Sequence, residues 1–93
     1  MQIEPIVIDI YSASRCSLCD TALAVLEGLA PELGLEIRKH DIAEDAALRA
    51  RYRLEIPVIH VGGEWAFNYR VDEALLRARV LALRATASEA SAR

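Results

Sequence analysis

The chain has 93 residues, 54% hydrophobic and 27% charged, with a formal net charge of −3. It is too apolar for a disordered segment and too short for a second domain. The acidic balance excludes electrostatic attraction to nucleic acid or anionic lipid, although ten of the eleven basic residues are Arg.

Ile6-Val7-Ile8-Asp9-Ile10-Tyr11 is β-branched and apolar on both alternating faces apart from Asp9, which predicts a strand covered on two sides. From Ser17 to Ala30 apolar residues recur at three and four (Ala22, Leu23, Leu26, Leu29, Ala30), giving a first helix whose exit is marked by Pro31 and Gly34. Leu35 to Ile42 alternates over most of its length and predicts a second strand with one wetter face. A second helix is expected from about Glu44 to Arg53, acids at its start and Arg at its end. Val58-Ile59-His60-Val61, Gly62-Gly63 and Glu64-Trp65-Ala66-Phe67 read as a tight hairpin. Asp72 offers an N-cap, with Val71 and Leu76 at staple positions, to a third helix carried by Leu75, Leu76, Val80 and Leu83. The domain is expected to span residues 1–85, and 86–93 to form a flexible C-terminal tail.

The order is β-α-β-α-β-β-α. The first βαβ needs a parallel crossover and the Gly-Gly turn an antiparallel pair, so an α/β fold with a mixed four-stranded sheet and helices on both faces follows. No apolar run reaches the roughly 20 residues that cross a bilayer. Met1-Gln2-Ile3-Glu4-Pro5 carries no basic residue and precedes only a short apolar run, so it does not read as a secretory signal. The default expectation is cytoplasmic residence.

Cys16 and Cys19 are the only cysteines, and they open the first helix. Residues i and i+3 share a helix face, so the two sulfurs can reach disulfide distance without moving the backbone. Cys16 would lie beside unpaired N–H groups at the positive end of the helix dipole, which favours thiolate over thiol. Cys16 is the expected attacker and Cys19 the resolver. In a reducing compartment such a pair is catalytic, redox-sensing or metal-binding more often than a permanent staple. Two buried structural thiols are the plain alternative. Zinc would need two more ligands, and His40 and His60 have no metal-ligand spacing to the pair, so no metal is expected.

A strand ending in Tyr11, a Cys-x-x-Cys opening the next helix and Ile56-Pro57-Val58 beginning a hairpin together resemble the thioredoxin fold in its glutaredoxin-sized form, over about residues 6–83. Cys16-Ser17-Leu18-Cys19-Asp20, Asp41-Ile42, Tyr52, Ile56-Pro57-Val58 and the Trp65–Phe67 segment resemble, more narrowly, small bacterial glutaredoxin-like proteins known as a domain of unknown function. The resemblance implies a thiol–disulfide oxidoreductase in which Pro57 is cis and lies against the Cys pair. The backbone of Ile56 would then pair with an extended substrate. Strand rules alone also allow an ordinary trans proline there. The resemblance implies a disulfide-containing protein or a glutathione mixed disulfide as partner, no bound cofactor and glutathione as a candidate reductant; a monomer is the default expectation. The chain departs from the better-known glutaredoxins. Ser17-Leu18 replaces Pro-Tyr between the cysteines, Glu55-Ile56-Pro57 replaces Thr-Val-Pro, and Asn68-Tyr69-Arg70-Val71-Asp72 fills the position of the Gly pair that helps hold glutathione.

Arg15 is a candidate substrate-binding residue and thiolate stabiliser, or else a solvated loop residue. Asp9 is either a proton acceptor beneath Cys19 or a solvent-facing carboxylate near a strand end. Trp65, Phe67 and Tyr69 alternate along the last strand, as an exposed docking patch beside the Cys pair, or else as core packing or hairpin cross-strand contacts. His60 reads as a sheet residue. The rival function is a non-catalytic thioredoxin-fold interaction module in which the Cys pair is vestigial or a redox switch.

Overall fold

The computed structural model describes residues 4–91. Its elements run β1 (Ile6–Ser12), α1 (Ser17–Leu33), β2 (Leu35–Asp41), a 3-10 turn (Ile42–Glu44), α2 (Ala46–Tyr52), β3 (Val58–Val61), β4 (Glu64–Asn68) and α3 (Glu73–Ser91). The strands form one sheet in the order β2-β1-β3-β4. β1 is parallel to β2 and antiparallel to β3, and β4 closes an antiparallel hairpin with β3. This is the expected element order and the expected mixed sheet.

Strand alternation sorts the side chains into two faces. Ile8 pairs with Val61 and Ile10 with Ile59, and these four are at most 1% exposed. They pack with Ala22, Leu26 and Leu29 of α1 and with Leu76 and Val80 of α3 in one aliphatic core. Asp9, Tyr11 and His60 have the opposite parity. Tyr11 and His60 meet Tyr52 at the end of α2, so helices lie on both faces, with the bulk of the apolar contact on the α1/α3 side. Gly62 and Gly63, at φ 60° and 87°, form the β3–β4 turn, whose two positive φ values match the twist of the hairpin and suit residues without a Cβ.

The junction between α1 and β2 is tied from a distance. Gly34 ends α1 at φ 68° and its N–H donates to Ala30 O at 2.9 Å, the left-handed cap that glycine adopts most readily. The Arg84 guanidinium of α3 donates to Leu33 O at 2.8 Å, Gly34 O at 3.3 Å and Glu4 O at 3.0 Å. A cation thereby sits on the negative end of α1 and pins the start of β1 to it.

Three boundaries differ from the sequence reading. α1 continues through Pro31 to Leu33, because Gly34 rather than the proline supplies the terminating conformation. Asp45 caps α2, its carboxylate accepting from the Ala47 and Leu48 N–H groups at 2.9 and 3.1 Å, so this helix starts later than Glu44. α3 does not stop near Leu83: the segment 86–93, expected as a flexible tail, is helical as far as Ser91, and residues 92–93 lie outside the described residues. No Gly or Pro interrupts residues 73–91, and Ala85, Ala87 and Ala90 belong to the strongest helix-forming type. None of the described helices is long and apolar enough to cross a membrane.

Candidate active site

The end of β1 and the beginning of β3 lie side by side, with Tyr11 opposite Val58. The loop after Ser12 and the residues just before Val58 therefore emerge at the same end of the sheet. Cys16 caps α1 in extended conformation, φ −115° and ψ 102°, and its Sγ accepts the Cys19 N–H at 3.1 Å. Its carbonyl accepts the Asp20 N–H at 3.0 Å, closing the first helical turn. Ser and Asp usually take this capping position; here a sulfur satisfies one of the orphan N–H groups of the helix start.

Cys16 and Cys19 form a disulfide, with Cα atoms 5.2 Å apart, inside the range such bonds need. The two sulfurs do not share one environment. Cys19 is 3% exposed on the inner face of α1, whereas Cys16 is only half-buried at the helix tip. Reduction would thus yield one thiol that solvent reaches and one that it does not. The thiolate of Cys16 would keep the Cys19 N–H and the helix terminus as stabilising partners.

Arg15 immediately precedes the pair, exposed and at φ 58°. It forms no salt bridge among the described residues, so its guanidinium is available to a ligand. The Ile56–Pro57 bond is cis, as the resemblance implied and unlike the trans proline that strand rules allow. Pro57 is buried and Ile56 half-buried. Tyr69 brackets this loop: its N–H donates to Pro57 O at 2.8 Å and its hydroxyl to Leu54 O at 2.9 Å.

Asp9 takes neither of the two places considered for it. It lies on the sheet face opposite α1, away from Cys19, and its Oδ1 is 2.7 Å from His40 Nε2. Tyr11 stacks on the His40 ring at a centroid distance of 4.7 Å, meets the His60 ring edge-on and lies tilted against Tyr52. Burial, reinforced by the Asp9 carboxylate and by Tyr52, pushes the Tyr11 phenol above its ordinary pKa. Among the described residues no group of three or more His, Cys, Asp or Glu side chains could hold a metal ion.

The expected alternation of Trp65, Phe67 and Tyr69 is broken. Phe67 pairs with Ile59 and Trp65 with His60, leaving Ala66 as the extra residue of a bulge, which moves Trp65 to the sheet face away from the core. Tyr69 lies beyond β4, at φ 68°. Instead of joining the tryptophan, it forms one wall of a groove of about 330 Å³ with Leu18, Thr21, Ala22, Val25 and Val71, and with Arg70 at the rim. Sequence reasoning missed this groove. Leu18, Ala22 and Val25 do fall at helical i, i+4 and i+7 positions, a signal absorbed into the general apolar pattern of α1. The resemblance puts residues 68–72 at the position of a ligand-holding Gly pair, but no pattern in the sequence pairs residues 69–71 with this stripe of α1.

A protein from Nitrosomonas europaea matches this structure with a TM-score of 0.74 at 23% identity, over 85% of this chain and 95% of that one. A structural-genomics target protein from X. campestris matches with a TM-score of 0.63 at 31% identity, over 81% and 96%. Thioredoxin from Fasciola hepatica has a TM-score of 0.55 at 22% identity, over 83% and 79%, and shares the fold. The family model described as glutaredoxin-like domain (DUF836) matches residues 7–81. The helix-capping Cys pair, the cis-proline loop beside it and this match over most of the chain together make the protein a member of the glutaredoxin-like domain family, with a thioredoxin-type fold.

Proposed function

We propose that the chain is a thiol–disulfide oxidoreductase working through its Cys16–Cys19 dithiol, in a reducing compartment such as the cytoplasm. The observation that carries this reading is the asymmetry of the pair: a reachable sulfur capping a helix, bonded to a sheltered one three residues on. In the reduced chain the Cys16 thiolate attacks one sulfur of a partner's disulfide. The partner's S–S bond breaks, its leaving thiolate takes a proton from solvent, and a mixed disulfide joins Cys16 to the partner. Cys19, as thiolate, then attacks the Cys16 sulfur and expels the second partner thiolate. Two electrons pass from the chain's dithiol to the partner's disulfide, leaving the Cys16–Cys19 bond.

Arg15 and the Ile56 backbone beside Pro57 would hold the partner while this happens. An external thiol must reopen the disulfide for turnover, and glutathione is a candidate for that role. The test is reduction of a peptide disulfide and of a glutathione mixed disulfide by the purified chain, with dithiothreitol as recycling reductant. The expected outcome is turnover by the native chain, reduced at least about 100-fold by Cys16→Ser because the sulfur nucleophile is gone. Full activity in Cys16→Ser would refute the assignment. Absence of turnover with reversible opening of the Cys16–Cys19 bond would make the chain a redox switch instead.

A further inference from the structure

The groove beside the Cys pair is not used by the exchange chemistry itself, and its composition carries information about what the chemistry acts on. One wall is a stripe of α1, Leu18, Thr21, Ala22 and Val25, and the other is Tyr69 and Val71. Leu18 lies between the two cysteines in sequence, so the groove begins where the sulfurs are. Tyr69 donates to Pro57 O, so the opposite wall is bonded to the loop that presents the Ile56 backbone. A chain segment attacked at one of its cysteines and lying along this loop would pass over the groove within a residue or two.

Leu18 and Tyr69 remain 40% and 44% exposed, apolar surface that nothing among the described residues covers. At about 330 Å³ the groove is at the small end of ligand pockets, suited to a side chain rather than to a whole ligand. Its one charged lining residue is Arg70, exposed and without a salt bridge among the described residues. That combination selects a partner with an apolar group next to its reacting sulfur and negative charge further out. Glutathione carries charge at both ends and has no apolar side chain to place there.

We infer that the groove between α1 and residues 69–71 receives an apolar side chain flanking the attacked cysteine of a disulfide-bearing protein segment, with an acidic residue of that segment facing Arg70. The inference rests on the exchange activity proposed above and names its substrate class: protein disulfides, not glutathione mixed disulfides. The Leu18 side chain between the cysteines then has two effects, as part of the Cys-x-x-Cys loop and as the near end of a specificity pocket.

The experiment uses the full chain and four peptide disulfides that differ only at two positions: Leu or Ser next to one cysteine, and Glu or Lys two residues further on. A glutathione mixed disulfide is the fifth substrate. Comparing kcat/KM between peptides with the same disulfide removes differences in the reactivity of Cys16. The Leu peptide is expected to exceed its Ser counterpart about tenfold, the low end of discrimination by an apolar pocket, and the Glu peptide to exceed the Lys peptide.

Thr21→Asp, on the exposed side of α1, is expected to collapse the Leu/Ser ratio to within about twofold of unity, since an apolar side chain then meets a carboxylate. Arg70→Glu is expected to invert the Glu/Lys preference. Turnover of all five substrates at similar kcat/KM, or ratios unmoved by Thr21→Asp and Arg70→Glu, would overturn the groove assignment and leave the exchange activity standing. No turnover of any substrate would overturn both.

Discussion

The unequal environments of the two sulfurs give a quantitative expectation for their reactivity once the disulfide is reduced. Donation of the Cys19 N–H, now 3.1 Å from Cys16 Sγ, to a charged rather than a neutral sulfur is worth about 1 kcal/mol more. The helix terminus adds about 0.5–1 kcal/mol in favour of the anion. Together these shift the thiolate-to-thiol ratio at Cys16 about 10- to 30-fold over a free cysteine, at about 1.4 kcal/mol per factor of ten. A less basic thiolate is also a weaker nucleophile, and with a Brønsted slope of about 0.5 only the square root of that gain, about three- to fivefold, survives in the rate. Access widens the gap, because Cys19 is 3% exposed. Alkylation of reduced single-cysteine variants by iodoacetamide measures the result. Cys19→Ser leaves the backbone N–H of residue 19 in place, so Cys16 in that variant retains its donor. At pH 7 it should react about tenfold or more faster than Cys19 in the Cys16→Ser variant, and its rate should persist to lower pH. Equal rates, or a faster Cys19, would refute both the ionisation argument and the order of attack.

The cap at the far end of α1 gives a stability prediction. In Gly34→Ala the new Cβ would lie 2.8 Å from an Arg84 guanidinium nitrogen at a φ of 68°. The left-handed conformation costs about 1–2 kcal/mol and a displaced guanidinium about 1 kcal/mol more, so urea unfolding should show a loss of about 2–3 kcal/mol, against about 1 kcal/mol for Arg84→Ala. Tyr11 predicts the alkaline limit. Its folded pKa is raised above 10.0, so the stabilisation linked to its proton is fully present below the unfolded phenol's pKa and declines as pH rises from there through the folded one. Urea midpoints measured between pH 8 and 11 should fall over that window less steeply for Tyr11→Phe than for the native chain.

The fold was legible because its main constraints are local or periodic. The β-branched run from Ile6 to Ile10 announces a strand covered on both faces, and Leu26 and Leu29 a helix by spacing. Gly62-Gly63 announces a turn that forces β3 and β4 to be antiparallel. What was not legible depends on register and on distant capping. A single extra residue, Ala66, sends Trp65 to one face and Phe67 to the other, and no pattern in Glu64–Asn68 distinguishes a bulged strand from a regular one. Arg84 reaches carbonyls fifty and eighty residues away in sequence, a contact that propensity cannot express. Asp9 read as an awkward charge in an apolar strand. Its solution, His40, lies in β2, two residues along from its own pairing partner Arg38 and so on the same face.

The site shows the same division, with the chemistry local and the selectivity not. Cys16, Cys19 and Pro57 could be picked out because each is a residue type with a restricted use, placed at an element boundary. The groove beside them depends on Tyr69, a non-glycine residue at positive φ, a conformation that costs an L-residue about 1–2 kcal/mol and that no turn signal in its sequence neighbourhood predicts. Surrounding structure offsets that cost at Tyr69, whose N–H and hydroxyl both bond to the cis-proline loop. A Gly at position 69 would take the same backbone path with less strain but would supply neither the hydroxyl bond to Leu54 nor the apolar wall facing Leu18. Strain retained where glycine would remove it is accounted for by what the side chain does, and at Tyr69 that is to join the proline loop to the groove and set the distance between the reacting sulfur and whatever side chain arrives beside it.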